Sequence, residues 1–262
     1  MMQRELEIAI KAALSAAGRI MKVYNDPLSD FMIERKSDNS PLTIADKLSH
    51  AIIVEALEPL LIPILSEEGA STAYAIRKNW NQLWIVDPID GTKEFIKRNG
   101  EFTVNIAKVV DGYPVLGVIY VPANGDLYYG SKDEGAFKAS GVHDFNMVER
   151  LSVRIPIAPA NRSYRIVASR SHLSDETAVY IEKIKKEKGD VEIVSKGSSL
   201  KICLVAEGVA DIYPRFAPTM EWDTAAGDAI LRAAGKLLVD KESGKPLTYN
   251  KENLLNPHFI AR

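Results

Sequence analysis

LWIVDPIDGT, residues 83–92, is an apolar run that stops abruptly at two carboxylates, Asp87 and Asp90, followed by Gly91 and Thr92. A run this short, bounded by turn residues, reads as a buried strand whose end leaves the core carrying charge. Pro88 restrains the backbone between the two acids, so both side chains and the Ile89 carbonyl can face one cation cluster. Gly91 allows the backbone to approach a ligand closely. A short helix starting at Thr92 would offer free N–H groups to a phosphate oxygen and a hydroxyl to orient water.

Upstream, IPILSEEG (residues 62–69) repeats the pattern, a short apolar strand ending at Glu67 and Glu68. Thr43 followed by Asp46 resembles a helix start, with Leu48, Ile52, Ile53 and Leu57 predicted as the apolar face up to Pro59. Leu6, Ile10, Ala13, Ala17, Ile20 and Tyr24 recur at spacings of four and three, predicting an amphipathic first helix. Downstream, residues 102–139 carry turn signals at Asp111-Gly112, Asn124-Gly125 and Asp133-Glu134-Gly135 between strand-like runs, an antiparallel meander. After about residue 150 strands alternate with helices, ending in a polar tail. The expectation is an α/β protein in two packed halves. Residues 1–150 form an α+β half with most of the acids, and residues 151–262 form an α/β half that contributes Asp223.

The 33 basic and 35 acidic residues nearly cancel, which gives no global electrostatic reason to expect a nucleic-acid polymer or an anionic membrane as partner. No stretch approaches the roughly 18 apolar residues of a membrane span. The single cysteine, Cys203, excludes an intrachain disulfide, and its apolar neighbours in LKICLVAEG favour a core role over a nucleophilic one. A cytoplasmic protein is expected, free or peripheral to the inner membrane. Whether it is a monomer or a homodimer is left open.

Asp46, Glu67-Glu68, Asp87 with Asp90, and Asp223 all stand at the ends of predicted elements. Singly, each has an ordinary explanation: Asp-Gly is a common turn, Asp223 before Thr224 a helix cap, Glu67-Glu68 a solvated loop. Jointly, they describe carboxylates gathered in one cleft, which repel unless protons or cations compensate. With no His or Cys among them, a hard divalent ion such as Mg²⁺ or Mn²⁺ is favoured over zinc.

WIVDPIDGTKEFIKRNGEFTVNIA (residues 84–107) and EWDTAAGDAIL (residues 221–231) resemble the two signatures of the inositol monophosphatase superfamily. LSEEG and NSPLTIAD extend the match over nearly the whole chain. The resemblance implies a layered αβαβα sandwich of the inositol monophosphatase and carbohydrate phosphatase type. It implies a phosphomonoesterase holding two or three Mg²⁺ ions, with Mn²⁺ able to substitute and Li⁺ inhibitory. Glu67, Asp87, the Ile89 carbonyl, Asp90 and Asp223 would bind the cations. Asp46 and Thr92 would activate water, and Glu68 would support them.

KEFIKRNG (residues 93–100) resembles the nucleotidase branch of that superfamily, as do ASRSH, GSSLK and YPR around His172, Ser198, Lys201 and Arg215. These last four residues are then implied to contact a nucleotide's second phosphate and its surroundings, with Gly91, Thr92 and Asp223 also touching substrate. The implied reaction releases the 3′-phosphate of adenosine 3′,5′-bisphosphate by in-line attack of water, without a phosphoenzyme. The sulfated analogue is a further candidate substrate. The rivals are an inositol monophosphatase, a fructose-1,6-bisphosphatase, and a catalytically silent binding protein lacking an essential acid.

Overall fold

α1 (Arg4–Asn25) buries Leu6, Ile10, Ala13, Ala17 and Ile20, the stripe its periodicity predicts. A computed structural model describes residues 2–35, 41–69, 72–157, 162–168 and 174–262. β1 (Glu34–Arg35) and β2 (Pro41–Leu42) pair antiparallel ahead of α2 (Ile44–Leu57), which packs beside α1. α2 departs from its predicted face. Leu48 is exposed, while Asp46 and Ser49 are buried with Ile53 and Leu57. The helix has rotated polar groups inward, which apolar periodicity alone does not anticipate.

β3 (Ile64–Ser66), α3 (Tyr74–Arg77), β4 (Gln82–Asp90) and α4 (Thr92–Ile96) follow. Next come β5 (Thr103–Val110), β6 (Tyr113–Val121), β7 (Asp126–Ser131) and β8 (Gly135–Ala139), then α5 (Val148–Leu151) and β9 (Ser152–Ile155). These strands form one seven-stranded sheet in the order β3-β4-β5-β6-β7-β8-β9, in which only β3 and β4 run parallel. The meander is as predicted. Along β4, Trp84 and Val86 join the core beneath α1 and α2, whereas Leu83 and Ile85 face the opposite core. Burial on both faces explains why this strand reads as a continuous apolar run.

β10 (Tyr164–Ala168), α6 (Asp175–Lys188), β11 (Val191–Ser195) and α7 (Leu200–Glu207) begin the second half. β12 (Tyr213–Arg215), α8 (Glu221–Ala233), β13 (Leu238–Asp240) and β14 (Phe259–Ala261) complete it. β10 pairs with β11 in parallel, β14 lies between β12 and β13, and an Ile166–Ile212 bridge joins the two groups. α7 and α8 fill the space between the sheets. A Cβ on Gly117 of β6 would come within 2.3 Å of the Ala226 carbonyl of α8, so only glycine permits this approach. α6 covers the far side through Ile181 and Ile184 against Ile166 and Ile212.

The result is the αβαβα sandwich the sequence resemblance implies. Cys203 lies in the core between the sheets, where burial raises its thiol pKa. The end of the chain is more than a polar tail: Phe259–Ala261 is the central strand of its sheet, an apolar run too short to register as a period. Among the described residues, no helix is long and apolar enough to cross a membrane.

Candidate active site

Asp87 and Asp90 are three residues apart, and in a regular strand they would point to opposite faces. In the register with β5, Asp87 lies opposite Asn105 and Asp90 opposite Thr103, so three steps on β4 match two on β5. This bulge, at Pro88, turns both carboxylates to the α8 side of the sheet. Ile89 plugs into the core on the other side, and Ser49 of α2 donates to the Pro88 carbonyl at 2.8 Å. The buried serine of α2 therefore braces the corner.

β3 continues its parallel pairing past Ser66, with Glu67 N donating to the Val86 carbonyl at 3.1 Å. This places the Glu67 side chain close enough to Asp87 for its charge to raise the Asp87 pKa. Asp223 enters from the first turn of α8, where one oxygen accepts from Met220 N at 2.8 Å. The ordinary capping role and the site role thus coexist in one side chain. Oxygens of Asp87, Asp90 and Asp223 lie within 4.8 Å of one another.

The crowding shows in the acidities. Burial, then the charges of Glu67, Asp90 and Asp223, hold the Asp87 carboxyl well above the usual carboxylate range. Burial, opposed by Lys201 but reinforced by Glu67, pushes Asp90 up to about 6. Burial followed by the charge of Asp90 pushes Asp223 up to about 8. Crowded acids whose charged forms are disfavoured, with oxygen donors only, suit a hard divalent cation. Asp87, Asp90 and Asp223 could hold such an ion, with Glu67 beside them.

Asp46 lies beneath Thr92. It closes the capping box of α2 by accepting from Thr43 N and Thr43 Oγ1, and its other oxygen is 3.4 Å from Thr92 Oγ1. Thr92 begins α4 as anticipated, preceded by Gly91 at φ 92°. A Cβ at Gly91 would sit 3.1 Å from the Ser198 side chain and 3.2 Å from the Glu101 carbonyl, so the backbone sign and the space both demand glycine.

Lys201 and Arg215 line a cleft of about 370 Å³ together with Glu67, Asp90, Thr92 and Asp223. Lys201, on α7, donates to the Ser198 carbonyl at 2.7 Å. Burial lowers its pKa to about 8, against the pull of Asp90. Arg215, at the end of β12, donates to the Pro218 carbonyl at 3.2 Å. Ser198 adopts a left-handed conformation, φ 44°, and its hydroxyl lies 2.9 Å from Thr103 Oγ1.

Glu68 is half-buried beside Glu67 and is not among the residues lining the cleft. His172 lies outside the described residues. Sequence reasoning missed a polar cluster under the cleft in which Thr103 Oγ1 meets Asn105 Oδ1 at 3.0 Å and Ser199 Oγ at 2.8 Å. Asn105 and the Ser199 backbone also favour the charged form of Asp90. The signal was there: in FTVNIAKVV, the polar residues Thr103 and Asn105 share one face of a strand that is otherwise apolar apart from Lys108.

The model of the inositol monophosphatase family matches residues 1–260. The chain belongs to that family. Its members are metal-dependent phosphatases, in keeping with the acidic cluster. The chain is 46% identical over 257 residues to the 3′(2′),5′-bisphosphate nucleotidase CysQ of Salmonella typhimurium, covering 97% of this chain and 98% of the relative. The crystal structure of CysQ from Bacteroides thetaiotaomicron is similar with a TM-score of 0.92 at 55% identity, covering 99% of this chain and 97% of that one. An IMPase from Thermotoga maritima is more distant, at a TM-score of 0.74 and 25% identity over 99% of this chain and 92% of that one.

Proposed function

We propose that the chain is a 3′(2′),5′-bisphosphate nucleotidase that converts adenosine 3′,5′-bisphosphate to AMP and phosphate, and that it also accepts the 5′-phosphosulfate analogue. One observation carries this assignment beyond the family: the carboxylate cluster, the buried Lys201 and Arg215 all line a single cleft of mixed charge. A substrate with two anionic groups, only one of them cleaved, needs such an asymmetric site. The identity to CysQ proteins supports the same assignment.

Glu67, Asp87, the Ile89 carbonyl, Asp90 and Asp223 hold the cations, and bound Mg²⁺ supplies charge neutralisation and acidifies water. Thr92 orients the attacking water, and Asp46, through Thr92, takes up its proton. The water oxygen bonds to phosphorus as the bond to the 3′-oxygen breaks, and the leaving oxygen takes a proton from a solvent water at the Asp223 side. Lys201, Arg215, Ser198 and His172 hold the 5′-group out of reach of the acids. Glu68 steadies the Thr92 side. Residues 1–150 thus supply most cation ligands, and residues 151–262 supply Asp223 and the substrate contacts. Replacement of Mg²⁺ by Mn²⁺ and inhibition by Li⁺ belong to the same proposal, as does residence in the cytoplasm, free or peripheral to the inner membrane.

The test is phosphate release from adenosine 3′,5′-bisphosphate, inositol 1-phosphate and fructose 1,6-bisphosphate, with Mg²⁺ and with chelator. A kcat/KM for the nucleotide no higher than for the other two would defeat the assignment.

A further inference from the structure

Glu221 is fully buried at the start of α8, two residues before Asp223. Its carboxylate accepts from Asn250 N at 2.6 Å, Lys251 N at 3.0 Å and Lys251 Nζ at 2.5 Å. The same 250–252 segment is gripped from the other side by Arg77, which is also buried. Arg77 donates to the Lys251 carbonyl at 2.6 Å, the Glu252 carbonyl at 2.8 Å and Asn250 Oδ1 at 3.1 Å, and its own carbonyl accepts from Asn250 Nδ2 at 2.7 Å. Arg77 ends α3, the first helix after Glu67.

Two charged side chains thus clasp one loop from opposite sides, each at the cost of leaving water. Breaking such buried charged contacts is costly, and replacing both partners with apolar residues is often harmless, so burial alone does not explain them. What they join is informative. Arg77 belongs to the segment that follows Glu67, and Glu221 to the helix turn that presents Asp223. Neither touches the cleft. Glu67 is held against β4 by its own backbone hydrogen bond to Val86, whereas the clasp ties the α8 turn that presents Asp223, through residues 250–252, to the end of α3.

We propose that Glu221, with Arg77 behind it, is a positioning residue that fixes Asp223 against the acids of β3 and β4, and so sets the cation affinity of the site. This rests on the carboxylates binding a divalent cation. Outer contacts that orient ligands alter metal affinity by about 10–100-fold when removed.

The experiment uses the full-length protein and its E221Q and R77K variants. Mn²⁺ binding is titrated calorimetrically without substrate, alongside unfolding curves and steady-state kinetics. I184A, which thins the outer core far from the clasp, serves as a control for loss of stability alone. The expected result is a Mn²⁺ Kd weakened at least about tenfold in E221Q and R77K. I184A should match the wild type, and KM for the nucleotide at saturating cation should be unchanged in all three. A folded E221Q or R77K with wild-type Mn²⁺ affinity would overturn the proposal. So would I184A losing as much affinity as they do. If E221Q does not fold, R77K decides, and if neither folds, the clasp serves stability and the proposal falls. Failure of the wild type to bind Mn²⁺ would instead strike the cation site itself, and this inference with it.

Discussion

The Thr92 hydroxyl lies 3.4 Å from one oxygen of Asp46, while the other Asp46 oxygen accepts from Thr43 N at 2.8 Å and Thr43 Oγ1 at 2.5 Å. One carboxylate therefore caps α2 and reaches the first residue of α4 with separate atoms. Thr92→Ala leaves the cap intact, so kcat should fall about 10²–10³-fold with little change in Tm. Thr92→Ser should recover most of the loss. Asp46→Asn should lose comparable activity and, because a cap is weakened, about 1 kcal/mol of stability. Phosphate-release kinetics and thermal unfolding check both.

Asp87 is buried among acids that raise its pKa, so it contributes repulsion when no cation is bound. Asp87→Asn should raise Tm in chelator, abolish stabilisation by Mg²⁺ and reduce kcat by orders of magnitude. Near wild-type turnover in this variant would refute its role as a ligand.

Asp90 and Asp223 have folded-state pKa values of about 6 and about 8, both above their ordinary value. A carboxyl with a raised folded pKa stabilises the fold fully below its unfolded pKa, and that contribution disappears as pH rises through the folded value. Without cations, Tm should therefore decline between about pH 4 and pH 8. Divalent cations compete with those protons, so Mg²⁺ affinity should rise over the same interval and the Tm decline should diminish. Unfolding curves in chelator and in Mg²⁺ across this range test the sign.

Arg215 lines the cleft with the acids. Arg215→Gln removes a charged donor, a loss of about 1.5–3 kcal/mol where such a hydrogen bond is made. KM for adenosine 3′,5′-bisphosphate should rise about 10–100-fold, while KM for adenosine 3′-phosphate, which lacks the 5′-group, should change little. Equal effects on both substrates would remove Arg215 from the 5′-phosphate subsite.

Much of the architecture was legible because it depends on local pattern. The stripe of α1, the turns between β5 and β8, and the helix start at Thr43 are set by neighbours in sequence. Where a residue's environment came from distant segments, pattern misled or was silent. Leu48 looked buried and is exposed, because the inner face of α2 serves Asp46 and Ser49 instead. Phe259–Ala261 was passed over as tail, since three residues show no period until β12 and β13 flank them.

The sequence by itself determined which acids stand at element ends, that oxygen ligands favour a hard cation, and where glycine must follow Asp90. Tertiary structure decided that those acids meet. A spacing of three separates Asp87 from Asp90 across a regular strand, and only pairing with Thr103 and Asn105 absorbs the extra residue and turns both to one side. The approach of Glu67, Asp223, Lys201 and Arg215 likewise comes from sheets and helices packing around them, because convergence of distant side chains is a property of the assembled layers.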